Sequence, residues 1–186
     1  MIVILSGVSG AGKDTIKRIL MRKDGRIKTL PSYTTRDKRI NEVEGENYYY
    51  ISKEKFKEMI DNNEFYEYSV HHGNYYGTNK KLLNERIKNN IVLKDIDVNG
   101  TEDLLKIFRG TDIKIISIFL NISKQEMLRR LENRDDKLKQ EEIELRMERY
   151  DYEMNHIGIY DYVIKNDDAE KTSNIILDII KREQEQ

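Results

Sequence analysis

Residues 7–15 read GVSGAGKDT, directly after the apolar run at residues 2–5 (IVIL), and this junction restricts the possible folds more than any other stretch of the chain. Glycines permit the positive-φ turns that point successive backbone N–H groups inward. A strand that ends in such a turn and continues as a helix aims the positive end of the helix dipole into the turn, where an anion is stabilised. The phosphate-binding pattern is glycine, four residues, glycine, lysine and a hydroxyl residue. Gly7, Gly12 and Lys13 satisfy it, whereas Asp14 stands where the hydroxyl that meets magnesium normally stands. The expected ligand is a nucleoside triphosphate, with Lys13 as a mobile charge. The competing reading is a glycine-rich turn without a ligand.

The remaining pattern fits an α/β fold with a parallel sheet flanked by helices. Residues 91–97 (IVLKDID), 115–120 (IISIFL) and 160–164 (YDYVI) read as further buried strands, each followed by a helix. Ser123 and Glu126 have the spacing of a capping box and open a helix to about residue 134. Within residues 141–154, Ile143, Met147, Tyr150 and Met154 recur at helical spacing, and the last helix is expected to bury Ile175, Ile176, Ile179 and Ile180. Residues 32–78 are rich in tyrosine and predict a small antiparallel insert with one helix at about residues 53–62. The charged run 135–142 (DDKLKQEE) reads as an exposed loop.

Composition narrows the function classes. A chain of 186 residues, 38% hydrophobic, suffices for one well-buried core, so a single domain is expected. Its 33 basic and 34 acidic side chains nearly cancel, leaving no overall field to recruit nucleic acid or an anionic membrane. An anion site must therefore be local. The absence of cysteine excludes disulfides, thiolate metal sites and cysteine nucleophiles, and agrees with a reducing cytoplasm. The opening MIVILSG has no basic leader and too short an apolar run for a signal peptide or membrane span, so a cytoplasmic protein is expected. Nothing in these patterns specifies an oligomeric state.

A second constellation lies in residues 32–50 (SYTTRDKRINEVEGENYYY) and 64–78 (EFYEYSVHHGNYYGT). Arg36 and Arg39 lie three apart beside Ser32, and Tyr48 and Tyr76 add hydroxyl donors. Two guanidinium forks with several hydroxyls suit a phosphate dianion. Glu67 and Thr78 are then available to read a base, because a carboxylate accepts two bonds from adjacent N–H groups, which guanine offers and adenine does not. The alternative has the arginines as surface charges and the tyrosines as packing.

The chain resembles the guanylate kinases, essentially from end to end, through SGVSGAGKDT, TTRDKRINEVEGENYYYIS, NNEFYEYSVHHGNYYGT, DIDVNG, RRLENR and YDYVIKNDD. The resemblance implies a P-loop core at about residues 1–31 and 79–186, a GMP-binding insert at about 32–78 and a helical lid at about 124–154. It implies transfer of the ATP γ-phosphoryl group to GMP, and to dGMP as well, in purine nucleotide metabolism. Ser32, Arg36, Arg39, Tyr48 and Tyr76 are then expected at the GMP phosphate, Glu67 and Thr78 at guanine, and Asp95 close to the acceptor and to magnesium. Its neighbour Asp97 is expected to share the metal's outer shell. ATP is expected to meet Gly7, Ser9, Gly10, Gly12, Lys13, Asp14, Thr15 and Asn166, with lid residues Arg134 and Arg146 joining Lys13, Arg36 and Arg39 in catalysis.

Three departures from the family pattern stand out: Asp14 in place of a hydroxyl residue, RDKRIN in place of a proline-rich turn, and NRDD in place of a glycine-containing lid start. The GKD of the loop also resembles kinases of the same fold that phosphorylate ribose 1,5-bisphosphate, and an inactive guanylate-kinase-like protein-binding module is a further alternative. The retained Glu67, Thr78, Lys13, Arg36 and Arg39 favour the GMP kinase. Asp14 is expected to reach magnesium through water, the alternative being a helix-end charge in the first turn. His71, His72 and His156 read as ordinary surface or loop residues.

Overall fold

The computed structural model describes residues 1–40, 42–71, 73–132 and 140–185. In chain order the elements are β1 (Ile2–Gly7), α1 (Lys13–Lys23), β2 (Ile27–Thr29), β3 (Ser32–Thr34), β4 (Tyr48–Tyr50), α2 (Lys53–Asp61), β5 (Phe65–His71), β6 (Asn74–Asn79), α3 (Lys80–Arg86), β7 (Ile91–Asp95), α4 (Val98–Phe108), β8 (Ile115–Asn121), α5 (Lys124–Glu132), α6 (Gln140–Asn155), β9 (Tyr162–Lys165) and α7 (Ala169–Glu185). One sheet has the strand order β2-β7-β1-β8-β9 and a second the order β4-β3-β6-β5. The chain forms two compact units, Met1–Ile4 with Arg26–Ile115, and Leu5–Gly25 with Ile116–Gln186.

In the first unit β2 runs parallel to β7, with Ile27 opposite Ile91. Apolar side chains from β1, β7, α3 and α4, with Leu30 just after β2, make its core: Ile2, Ile4, Leu30, Leu83, Val92, Leu104, Leu105 and Phe108. Truncating one of these to alanine costs about 2–5 kcal/mol by leaving a cavity. A smaller core of Phe56, Met59 and Phe65 supports the second sheet, where the Phe56 and Phe65 rings stack at 4.5 Å. That sheet is antiparallel through β3, β6 and β5, and β4 joins β3 in parallel. The expected insert, residues 32–78, lies wholly within this unit and contains the expected helix as α2. β2 and α3 are too short to have declared themselves as periodic patterns.

In the second unit β8 runs parallel to β9, with Leu120 opposite Ile164. Helices α1 and α7 pack together; Ile16, Ile19 and Leu20 of α1 and Ile176, Ile179 and Ile180 of α7 are buried. Ile175 departs from expectation, being 47% exposed. The buried face of α7 runs instead through Thr172, Ser173, Ile176, Ile179 and Ile180, which leaves Ile175 on its edge. Arg22 and Lys23 at the end of α1 both pair with Glu170 in the first turn of α7. Ser123 Oγ accepts from the Glu126 N–H as a capping residue should, but the Glu126 carboxylate goes to Arg129 and Arg130. Most of the run 135–142 lies outside the described residues. Among the described residues, no helix is long and apolar enough to cross a membrane.

Candidate active site

In the second unit the glycine loop closes as its composition requires. Gly12 caps α1 with φ 87°, and a Cβ there would meet Asn166 Nδ2 at 2.9 Å. Gly7 has φ 148°, and a Cβ would fall 2.4 Å from the Leu120 carbonyl oxygen. Both positions demand glycine for backbone conformation and for space. Lys13 Nζ donates to the Gly7 carbonyl across the loop at 2.7 Å. The cap of α1 is distinctive among the described residues. Ser52, Asn79, Asp97, Ser123 and Asp168 each accept from a first-turn N–H of α2, α3, α4, α5 and α7, whereas Gly12 offers α1 no side chain. The first turn of α1, with Thr15 half-buried in it, thus keeps its N–H groups and positive dipole end for an external anion.

Other side chains hold this loop. Arg130 of α5 donates from Nη1 to Gly10 O and from Nη2 to Asn166 O, each at 3.1 Å, while its Nε is anchored on Glu126 at 2.6 Å. Arg129 and Arg130 together pull the Glu126 carboxyl down to about 2. Asn166, buried just beyond β9, donates from Nδ2 to Ala11 O at 2.6 Å, and its own N–H donates to Asn121 O. Arg146 of α6 donates to Ser9 Oγ at 2.6 Å. Helix α6 is itself tied down by Tyr150 to Ile122 O and by Asp151 to Lys124. Gly7, Ser9, Gly10, Gly12, Lys13, Asn166 and Arg146 therefore lie together around the loop. Arg134 lies outside the described residues. Asp14 is in the first turn of α1, 84% exposed, and pairs with Lys17 at 2.7 Å.

In the first unit Arg36 donates from Nη2 to Glu42 Oε1 at 2.7 Å and from Nη1 to Asp37 O at 2.8 Å, with its guanidinium 5.2 Å from the Tyr48 ring centre. Glu42 Oε2 accepts from Tyr50 Oη and from the Arg39 N–H. Burial opposes ionisation of Glu42, but the bonds from Arg36, Arg39 and Tyr50 outweigh it and lower its pKa to about 2. The Tyr50 phenol is correspondingly pushed up to about 12 by burial and by Glu42. Tyr48 and Tyr76 meet edge to face at 5.9 Å. The Arg39 side chain is exposed.

Glu67 shares the inward parity of β5 with Phe65, and β5 bulges between the two. It is 7% exposed, stands opposite Thr78 on β6, and accepts a short bond from the Thr78 hydroxyl. Burial pushes the Glu67 carboxyl above the usual range and the charges of Asp97 and Asp103 add to this, while Lys94 and Thr78 pull the other way. Asp95 ends β7, half-buried. Asp97 caps α4 through Gly100 N–H and pairs with His71 Nε2 at 2.7 Å. His71 is thus tied to Asp97 at the end of β5 rather than being an unengaged loop residue; His72 lies outside the described residues.

The guanylate kinase family model matches residues 1–183. The chain belongs to the guanylate kinase family. A guanylate kinase of Rickettsia felis is 40% identical over 190 residues, covering 100% of this chain and 95% of that protein. One from Prochlorococcus marinus is 39% identical over 182 residues, covering 97% and 96%. The crystal structure of guanylate kinase from Anaplasma phagocytophilum matches with a TM-score of 0.79 at 30% identity, over 100% of this chain and 87% of that one. Glu42, Lys94 and Arg130, which bond to Arg36, Ser32 and Gly10 respectively, were not singled out from the sequence. Lys94 alone carried a signal, as a charge inside the strand-like run IVLKDID.

Proposed function

We infer that the chain is an ATP:GMP phosphotransferase: an oxygen of the GMP phosphate attacks the γ-phosphorus of ATP, the bond to the β-phosphate oxygen breaks, and ADP and GDP result. The observation that carries the acceptor's identity is Glu67, a buried carboxylate opposite Thr78. Guanine N1–H and N2–H compensate such a group, whereas adenine and a sugar bisphosphate offer no matching pair of donors. dGMP retains the same base and is expected to serve.

An acceptor phosphate monoester with a second pKa of about 6 is mostly dianionic at neutral pH, so no general base is needed. Catalysis is positioning and charge neutralisation. Arg36, Arg39, Tyr48, Tyr76 and Ser32 hold the acceptor phosphate in this reading. The uncapped turn of α1, Lys13 and Arg146 hold the triphosphate, with Arg134 joining them, and Asn166 meets the adenine side. Asp95 neighbours the acceptor.

Magnesium fits the available donors. They are carboxylate oxygens, the hard ligands this ion prefers, and no group of three or more potential ligands occurs among the described residues. Magnesium ordinarily keeps several waters and is held by one or two carboxylates together with substrate phosphates. Asp14, Asp95 and Asp97 would hold it through water; Asp97 already engages Gly100 and His71 through its two oxygens. Bound magnesium would neutralise phosphate charge. We propose one guanylate-kinase-like domain with the GMP insert at 32–78 and the lid at about 124–154, working in the cytoplasm.

The test is ADP release with ATP and magnesium, offering GMP, AMP, UMP and ribose 1,5-bisphosphate separately. GMP alone is expected to support fast turnover. Comparable turnover with the sugar bisphosphate would overturn the assignment.

A further inference from the structure

Lys94, the fourth residue of β7, is 1% exposed. A cation inside a core costs several kcal/mol unless its donors are used, and an apolar residue would fill the position beside Val92 and Leu93 at less cost. Its contacts point to a different purpose. Lys94 Nζ donates to Ser32 Oγ at 2.5 Å and to Leu30 O at 3.3 Å, and its charge acts on Glu67. An ammonium group has donors and no acceptor, whereas a serine hydroxyl has one donor and two acceptor lone pairs. Ser32 must therefore accept from Lys94, and its own hydrogen is directed elsewhere.

We propose that Lys94 is a positioning residue for acceptor binding, which holds the Ser32 hydroxyl as a hydrogen-bond donor toward the acceptor nucleotide. The proposal rests on the reading of the first unit as the GMP site. A serine free to rotate can donate or accept. One already engaged by Lys94 favours a ligand atom with lone pairs, either a phosphate oxygen or the guanine carbonyl oxygen.

Calorimetric titration of GMP and of guanosine into the wild type, Lys94→Met, Lys94→Gln, Ser32→Ala and the Lys94→Met/Ser32→Ala double variant tests it. Lys94→Met is expected to weaken GMP binding about tenfold, the net effect of roughly one hydrogen bond. The double variant should bind no worse than Ser32→Ala, since both act through one hydroxyl. Lys94→Gln, whose amide can still donate to Ser32, should recover part of the loss. Affinity for a non-hydrolysable ATP analogue should not move. In Ser32→Ala, which leaves the Lys94 charge beside Glu67 in place, a guanosine affinity that falls in parallel assigns the carbonyl oxygen, and one that is unchanged assigns the phosphate. Unchanged GMP affinity in Lys94→Met, or fully additive losses in the double variant, would overturn the proposal. Failure of the wild type to bind GMP would instead remove the acceptor-site reading beneath it.

Discussion

Arg36 and Glu42 form a closed pair, Nη2 to Oε1 at 2.7 Å, in which Glu42 also receives the Tyr50 hydroxyl and the Arg39 N–H. A carboxylate so surrounded fixes the guanidinium proposed to meet the acceptor phosphate, while leaving further N–H donors of Arg36 for that role. Glu42→Gln keeps the shape but removes the charge. GMP affinity should fall roughly tenfold, the scale of one lost charge-assisted bond. The pair also leaves a signature in acid. Because the folded-state pKa of Glu42 is lowered to about 2 from 4.5, its stabilisation is present above pH 4.5 and is lost as pH falls toward 2. The melting temperature of Glu42→Gln should therefore lie below that of the wild type at pH 7, with the gap closing across that acid range. A gap independent of pH would contradict this role.

Glu67 behaves in the opposite sense. Its folded-state pKa is raised, so its contribution to stability is full below the ordinary 4.5 and is lost as pH rises through the folded value. Ionising this buried carboxyl therefore costs stability. Glu67→Gln should melt higher than the wild type at pH 7 and nearly the same at pH 4. Its kcat/KM for GMP should drop by at least tenfold, because hydrogen bonds to a charged acceptor contribute about 1.5–3 kcal/mol each. Retained kcat/KM would remove Glu67 as the base reader.

Gly12→Ala places a side chain at φ 87° and a Cβ 2.9 Å from Asn166 Nδ2. The conformational cost alone is about 1–2 kcal/mol, and the Asn166 bond to Ala11 O must also shift. A fall of several degrees in melting temperature is expected, together with a loss of ATP-analogue affinity larger than any change in GMP affinity. Differential scanning calorimetry and two separate ligand titrations would measure the three effects.

Asp14 pairs with Lys17 at the exposed start of α1. If its carboxylate also holds magnesium through water, Asp14→Asn raises the magnesium concentration needed for half-maximal rate and Asp14→Ser largely restores it. Superimposable magnesium curves, with a small drop in melting temperature, would confine Asp14 to a helix-end role of about 0.3–1 kcal/mol.

Local chemistry made much of this legible in advance. Gly7, Gly12 and Lys13 constrain one turn of backbone, and the apolar runs at residues 91–97 and 115–120 could hardly avoid becoming buried strands. That Glu67 meets Thr78, and Arg36 and Tyr76 meet Tyr48, was foreshadowed by their crowding into two short segments. What the sequence alone determined was therefore the order of the longer strands, loops and helices and the family to which the chain belongs, since both follow from short-range patterns. The tertiary structure decided which charges meet. Lys94 reaches Ser32 across 62 positions, Arg130 reaches Gly10 across 120, and Asn166 reaches Ala11 across 155. Ile175 likewise lost its expected burial to the way α7 is rolled in packing. Hydrogen bonds and burial depend on distance in space, and only the folded chain sets that distance.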